Sequence, residues 1–131
     1  MRYLLFSALI LVVACWQCKT AAPSLSGSQW KVVELYPDGQ TTALLPTKDY
    51  ILEFKTDATL NIKLDINNCF SGYALPEAGK INISPLACTK ACCDSDLATQ
   101  IARSLQFMVD YRIEGDRLEL TGQDRLVLER L

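Results

Sequence analysis

From Ala58 to Ile66 the chain alternates without a break, with Leu60, Ile62, Leu64 and Ile66 on one face and Asn61, Lys63 and Asp65 on the other. A period of two means a half-buried strand with one wet face. Such a strand needs partners before it is stable, and the chain supplies them. Trp30, Val32 and Glu34 alternate with Lys31, Val33 and Leu35. Tyr50–Lys55, Phe70–Ala74 and Lys80–Ser84 read as further strands, the last with Ile81 and Ile83 inward. Tyr36-Pro37-Asp38-Gly39 and Thr56-Asp57 are turns, since Pro presets φ and Gly accepts a positive one. Residues 40–49 read as a loop, and Gly72 as a bulge or a close approach.

The period then switches. Leu97, Ile101, Leu105 and Met108 recur at helical spacing, with Gln100, Arg103 and Gln106 outside. Asp94 or Ser95 can cap the N-terminus. One amphipathic helix over about 95–107 follows. Strands resume at Val109–Glu114, Arg117–Thr121 and Arg125–Glu129, joined by Glu114-Gly115-Asp116 and Gly122-Gln123-Asp124. Gly-Asp turns between alternating runs are hairpin signals. The expected fold is α+β and mostly β: an antiparallel sheet or open barrel with one helix packed on it.

The N-terminus is of another kind. Arg2 gives a positive start, Tyr3–Val13 is apolar except for Ser7, and Ala14 precedes Cys15. A charged start, a short apolar core and a small residue at the cut describe a secretory signal. With a cysteine immediately after the cut, the segment resembles a bacterial lipoprotein signal. Residues 1–14 are then the signal peptide, and Cys15 carries lipid such as palmitate. The run is too short for a membrane-spanning helix, which needs about 20 apolar residues. Cys18 is a poorer lipidation site because Trp16 and Gln17 precede it. Residues 15–24 form a tether and 25–131 the domain. By composition the linker character extends through residue 28, so residues 16–28 are expected to add little to the core. Trp16 rather than Asp follows Cys15, which favours the outer membrane, facing the periplasm, over retention at the inner one.

Composition narrows the chemistry. The chain has no histidine and a net charge of −2. Ser-His-Asp and Cys-His nucleophile systems are thereby excluded, and no basic surface invites nucleic acid. No enzyme activity and no cofactor are expected. The expected partners are the membrane, through the lipid, and an envelope protein.

Six cysteines are many for 131 residues. With Cys15 lipidated and Cys18 in the tether, Cys69, Cys88, Cys92 and Cys93 remain. Outside the cytoplasm they are disulfide candidates, and a bridge closing a loop of roughly 20 residues contributes about 2–4 kcal/mol. Setting aside the strained neighbour bond leaves Cys69–Cys92 with Cys88–Cys93, or Cys69–Cys93 with Cys88–Cys92. Either way Cys69 is bridged into the 88–93 segment. The competing reading is a thiolate metal or redox domain. Four sulfurs suit tetrahedral Zn²⁺ or Cu(I), and a thiolate near Lys90 at a helix start is open to exchange.

Leu25-Ser26-Gly27-Ser28-Gln29-Trp30-Lys31, Asn67-Asn68-Cys69-Phe70-Ser71-Gly72-Tyr73, Leu86-Ala87-Cys88 and Tyr111–Leu120 occur in that order. As a set they resemble the META domain family of HslJ-type, heat-inducible bacterial lipoproteins. The resemblance covers about 25–131. It implies a non-enzymatic envelope role linked to stress or antibiotic tolerance, and it implies a Cys69–Cys88 pairing. Two departures stand out: Asn67 and Asn68 precede Cys69, and Cys92-Cys93 is added.

The remaining polar residues have plain structural readings. Asp94 and Asp96 favour a helix N-terminus. Glu114, Asp116, Glu119 and Asp124 are expected to be solvated. Asn67-Asn68 serves a turn, and Trp30 and Tyr73 belong to the core.

Overall fold

The computed structural model describes residues 24–131. The expected signal peptide, Cys15, Cys18 and nearly all of the expected tether lie outside the described residues.

Nine strands and one helix follow in the order β1 (Ser28–Tyr36), β2 (Ile51–Phe54), β3 (Thr59–Lys63), β4 (Asn68–Ala74), β5 (Asn82–Ile83), β6 (Ala87–Cys88), α1 (Asp96–Leu105), β7 (Met108–Glu114), β8 (Arg117–Gly122) and β9 (Arg125–Arg130). The sheet order is β5-β4-β3-β2-β1-β9-β8-β7, with β6 also on β4. All pairings are antiparallel. The two ends of the sheet meet just before β5. Ile81 N–H donates to the Val109 carbonyl at 3.0 Å, and Tyr111 N–H to that of Gly79 at 2.9 Å. Lys80 and Asp110 face each other there as an ion pair. The sheet is therefore a nearly closed barrel, which leaves little exposed strand edge.

The interior is one apolar cluster. Trp30, Leu52, Phe54, Ile62, Leu118, Leu120, Leu126 and Leu128 come from the strands, and Ala98, Ile101 and Leu105 from the helix. The helical stripe thus packs into the barrel core, as the 3.6-residue spacing requires. Phe54 and Tyr73 meet edge to face with ring centroids 5.1 Å apart. Met108 is buried as the first residue of β7, not as the end of the helix.

Four expectations need correction. Leu25 is 1% exposed and belongs to the core, and the buried Ser28 hydroxyl donates to its carbonyl and accepts from Trp30 Nε1. Residues 25–28 therefore pack on the sheet instead of extending the linker. Burying a leucine this completely is worth about 1.5–3 kcal/mol. The phase of β1 also differs: a register shift between Val32 and Glu34 inserts an extra residue, so Leu35 turns inward in place of Glu34. Ile66 is exposed because Asp65 and Ile66 form a hairpin tip, closed by Leu64 N–H on the Asn67 carbonyl. Gly72 is no bulge: it pairs in register with Thr59, and a Cβ there would meet only ordinary contacts at 3.8 Å.

Gly122 is the glycine that the packing requires. A Cβ there would be driven into the Phe107 carbonyl and would lie 2.9 Å from the Met108 Cα. Both neighbours are backbone and cannot swing aside. Gly122→Ala should lower stability by about 1–3 kcal/mol in urea unfolding, while Gly72→Ala should stay within about 0.5 kcal/mol of the parent. Equal effects at the two positions would contradict this packing.

Candidate functional site

The chemically distinctive region is the junction between the β3–β4 hairpin tip and the segment from β6 to the helix. Cys69 lies on β4 opposite Ile62, fully buried. Two-residue β6 pairs with β4 so that Cys88 stands directly opposite Cys69, with Cα atoms 4.0 Å apart, and the two are joined by a disulfide. After one more backbone bond, from Thr89 N–H to the Asn68 carbonyl at 3.0 Å, the chain leaves the ladder. Cys92 and Cys93 are exposed, are joined to each other, and share a cis peptide bond.

Cys69 is bridged into the 88–93 segment as expected, and to Cys88 as the family resemblance implies, but both pairing sets read from the residues alone are corrected. Neither Cys69–Cys92 with Cys88–Cys93 nor Cys69–Cys93 with Cys88–Cys92 occurs; the neighbour bond set aside as strained is present. The reason is register: pairing of β6 on β4 commits Cys88 to Cys69. With all four sulfurs in disulfides, none is a thiolate that could ligate a metal in this form. Among the described residues, no group of three or more His, Cys, Asp or Glu is placed to hold a metal ion.

What holds the segment is a buried amide. Asn67 Nδ2 donates to the Ala91 carbonyl at 2.7 Å and to Asp94 Oδ2 at 2.6 Å. Its Oδ1 accepts from Ala91 N–H at 2.8 Å and from the Thr89 hydroxyl at 2.9 Å. That fills both donors and both lone pairs of the side chain. Asp94 Oδ1 also accepts from the N–H groups of Ile66 and Asn67. Burial works against the charge on Asp94, but the hydrogen bonds from Asn67 and Ile66 outweigh it and hold the carboxyl below its ordinary range. So Asp94 faces back onto the hairpin tip and does not cap the helix. The cap is Ser95, whose hydroxyl accepts from Ala98 N–H at 3.2 Å, with Asp96 in the first turn.

Asp65 adds a second tie. Its side chain is only 5% exposed and accepts from Ser95 N–H at 2.7 Å, the Tyr50 hydroxyl at 2.8 Å and Lys48 Nζ at 3.1 Å. Hydrogen bonding from Ser95, through its hydroxyl and its N–H, and then from Tyr50, holds the Asp65 carboxyl far below the usual carboxylate range. Burial beside this carboxylate pushes the Tyr50 hydroxyl up.

Two acidic residues expected to be solvated are engaged elsewhere. Asp124 accepts from the Ser104 hydroxyl and from Asp38 N–H, tying the helix end to two turns. Glu119 lies 3.8 Å from both Arg112 and Arg125. Trp30 and Tyr73 are core residues, as expected. A polar groove of about 400 Å³ runs between the outer face of the helix and the β8–β9 turn, with Arg103, Phe107 and Asp124 on its walls. Sequence reasoning missed Asp65, Tyr50 and the full role of Asn67. Their only signal was a cluster of polar residues beside a strand end, which a turn explains equally well.

A carboxyl whose folded pKa is depressed contributes stability above its ordinary pKa and loses it as the pH falls towards the folded value. The protein should therefore lose stability steadily below about pH 5. Asp65→Asn should be less stable than the parent at pH 7 and show a visibly flatter acid limb in urea unfolding across that range. Parallel acid limbs for the two proteins would show that Asp65 is not the coupled group.

The same fold occurs in solved structures of low sequence identity. A protein from Burkholderia xenovorans, solved by NMR, is 16% identical, with a TM-score of 0.64 over 86% of this chain and 94% of that one. A crystal structure of a duf4847 family protein from Bacteroides vulgatus is 14% identical, with a TM-score of 0.60 over 80% of this chain and 93% of that one. Among curated proteins, none matches this chain. The META domain family model matches residues 23–131, which takes in the whole barrel, the helix and the cysteine junction. The chain belongs to the META domain family.

Proposed function

We propose that this chain is a lipid-anchored protein of the bacterial cell envelope, whose META domain is a binding or structural module and not an enzyme. The observation that carries the reading is the Cys69–Cys88 disulfide, set within the strand ladder with Cys69 fully buried. Bonds of this kind persist in oxidising compartments and are rare in the cytosol. The Met1–Cys15 segment supplies the matching export and lipidation signal. On this reading Cys15 is the acylated first residue and the tether, from there to residue 24, is short because Leu25 is already packed in the core. A single lipidated cysteine is an anchor, not a span. Trp16 after Cys15 directs the protein to the outer membrane, where the host has one, with the domain facing the periplasm. The partner is an envelope protein, and the biological setting is tolerance of stress or antibiotics, as the HslJ-type resemblance implies.

The test is Cys15→Ala in cells labelled with a palmitate analogue. The parent should carry label and sediment with membranes. The variant should lose the label and either remain an unprocessed precursor or be released. A variant that is still labelled, processed and membrane-bound would contradict the proposal.

A further inference from the structure

Two disulfides in one small domain invite the same explanation, yet they differ in what they can do for the fold. Cys69–Cys88 spans a sequence separation of 19. It removes loop entropy from the unfolded chain, which is how a bridge stabilises. Cys92–Cys93 has a sequence separation of 1. It closes no chain loop, so this source of stability is absent. Nor does it position the segment, because Asn67 grips Ala91 on one side of the pair and Asp94 on the other through hydrogen bonds that use no sulfur.

The two bonds also differ as substrates for thiol attack. Exchange needs a thiolate to reach one sulfur and the other to depart as a thiolate. At Cys69–Cys88, attack on Cys69 is blocked by the core. Attack on the exposed Cys88 makes the fully buried Cys69 the leaving group, and an apolar site disfavours its charge. At Cys92–Cys93 both residues are exposed, so either sulfur can be attacked and either can leave into water.

We propose that Cys92–Cys93 is a reversible dithiol–disulfide exchange site for an external dithiol, while Cys69–Cys88 is structural. One thiolate of the dithiol attacks Cys92 or Cys93. The bond between them breaks, the departing sulfur takes a proton, and a mixed disulfide forms. The second thiol of the dithiol then closes on its own partner sulfur and releases the remaining cysteine thiol. Two electrons and two protons pass to the pair, and the dithiol leaves as a disulfide. Reoxidation runs the same steps in reverse with a disulfide donor. That the site works outside the cytoplasm rests on the export reading; the contrast between the two bonds does not.

The test uses the purified oxidised full-length protein, titrated with dithiothreitol, quenched with N-ethylmaleimide and mapped by mass spectrometry. Cys92 and Cys93 should be labelled roughly tenfold or more faster than Cys69 and Cys88, as expected from their access and leaving groups. In that window the cooperative melt should be retained, and oxidised glutathione should restore the Cys92–Cys93 bond without scrambling. Cys92→Ser with Cys93→Ser should melt like the parent, whereas Cys69→Ser with Cys88→Ser should melt lower. Equal labelling rates, earlier opening of Cys69–Cys88, loss of the melt on opening the neighbour pair, or a bond from Cys92 or Cys93 to any other cysteine would overturn the proposal. Because none of these readouts involves lipid or membrane, failure here is distinct from failure of the anchoring reading.

Discussion

The side chain of Asn67 is the contact on which the second half of the molecule turns. The chain must leave β4, return along it through β5 and β6, and then start a helix whose apolar face enters the barrel. Between Thr89, whose N–H makes the last backbone bond to β4, and Ser95 there is no ladder to guide it. Asn67 replaces the ladder, with four hydrogen bonds from one buried amide that reach Thr89, Ala91 and Asp94. Asp94 and Asp65 extend the grip to the hairpin tip and to the first backbone N–H of the helix cap. A buried amide of this kind is expensive to leave half satisfied, at about 1–3 kcal/mol per orphaned group. Its complete pairing therefore selects one path for the segment over many of similar compactness.

Much of the barrel was legible along the chain because its signals are local. Leu60, Ile62 and Leu64 alternate, and all three are buried. Ile101 and Leu105 recur at helical spacing and share the core with Leu118 and Leu120. Gly39 and Gly115 take positive φ in the turns assigned to them. What escaped reading depends on partners far away in sequence. The phase of β1 reverses at Glu34 because β9 accepts a bulge there. Two-residue β6 has no period to detect and exists because β4 offers it an edge. Cysteine pairing follows from that same register, so counting and spacing could only bound it. Asp65 read as part of the wet face of a strand and Asn67 as a turn residue because their partners lie 22 to 30 residues further on.

The division of labour between the two disulfides follows from the same geometry. Cys69–Cys88 sits inside the ladder and locks β6 to β4, the pairing that launches the segment held by Asn67. Cys92–Cys93 sits on the exposed stretch between two of the anchoring points of that amide. A segment fixed by side-chain hydrogen bonds can tolerate chemistry at its exposed residues without passing strain into the barrel.

The most direct measurement is native-state hydrogen exchange, residue by residue, on the parent and on Asn67→Ala. If Asn67 organises the junction, the variant should lose protection at Ala91, at Ser95 and in the first turn of the helix at Ala98 and Thr99. Protection in β1, β8 and β9 should stay near parental levels. Loss spread evenly over the barrel, or no loss at Ala91 and Ser95, would contradict the central role assigned to this side chain.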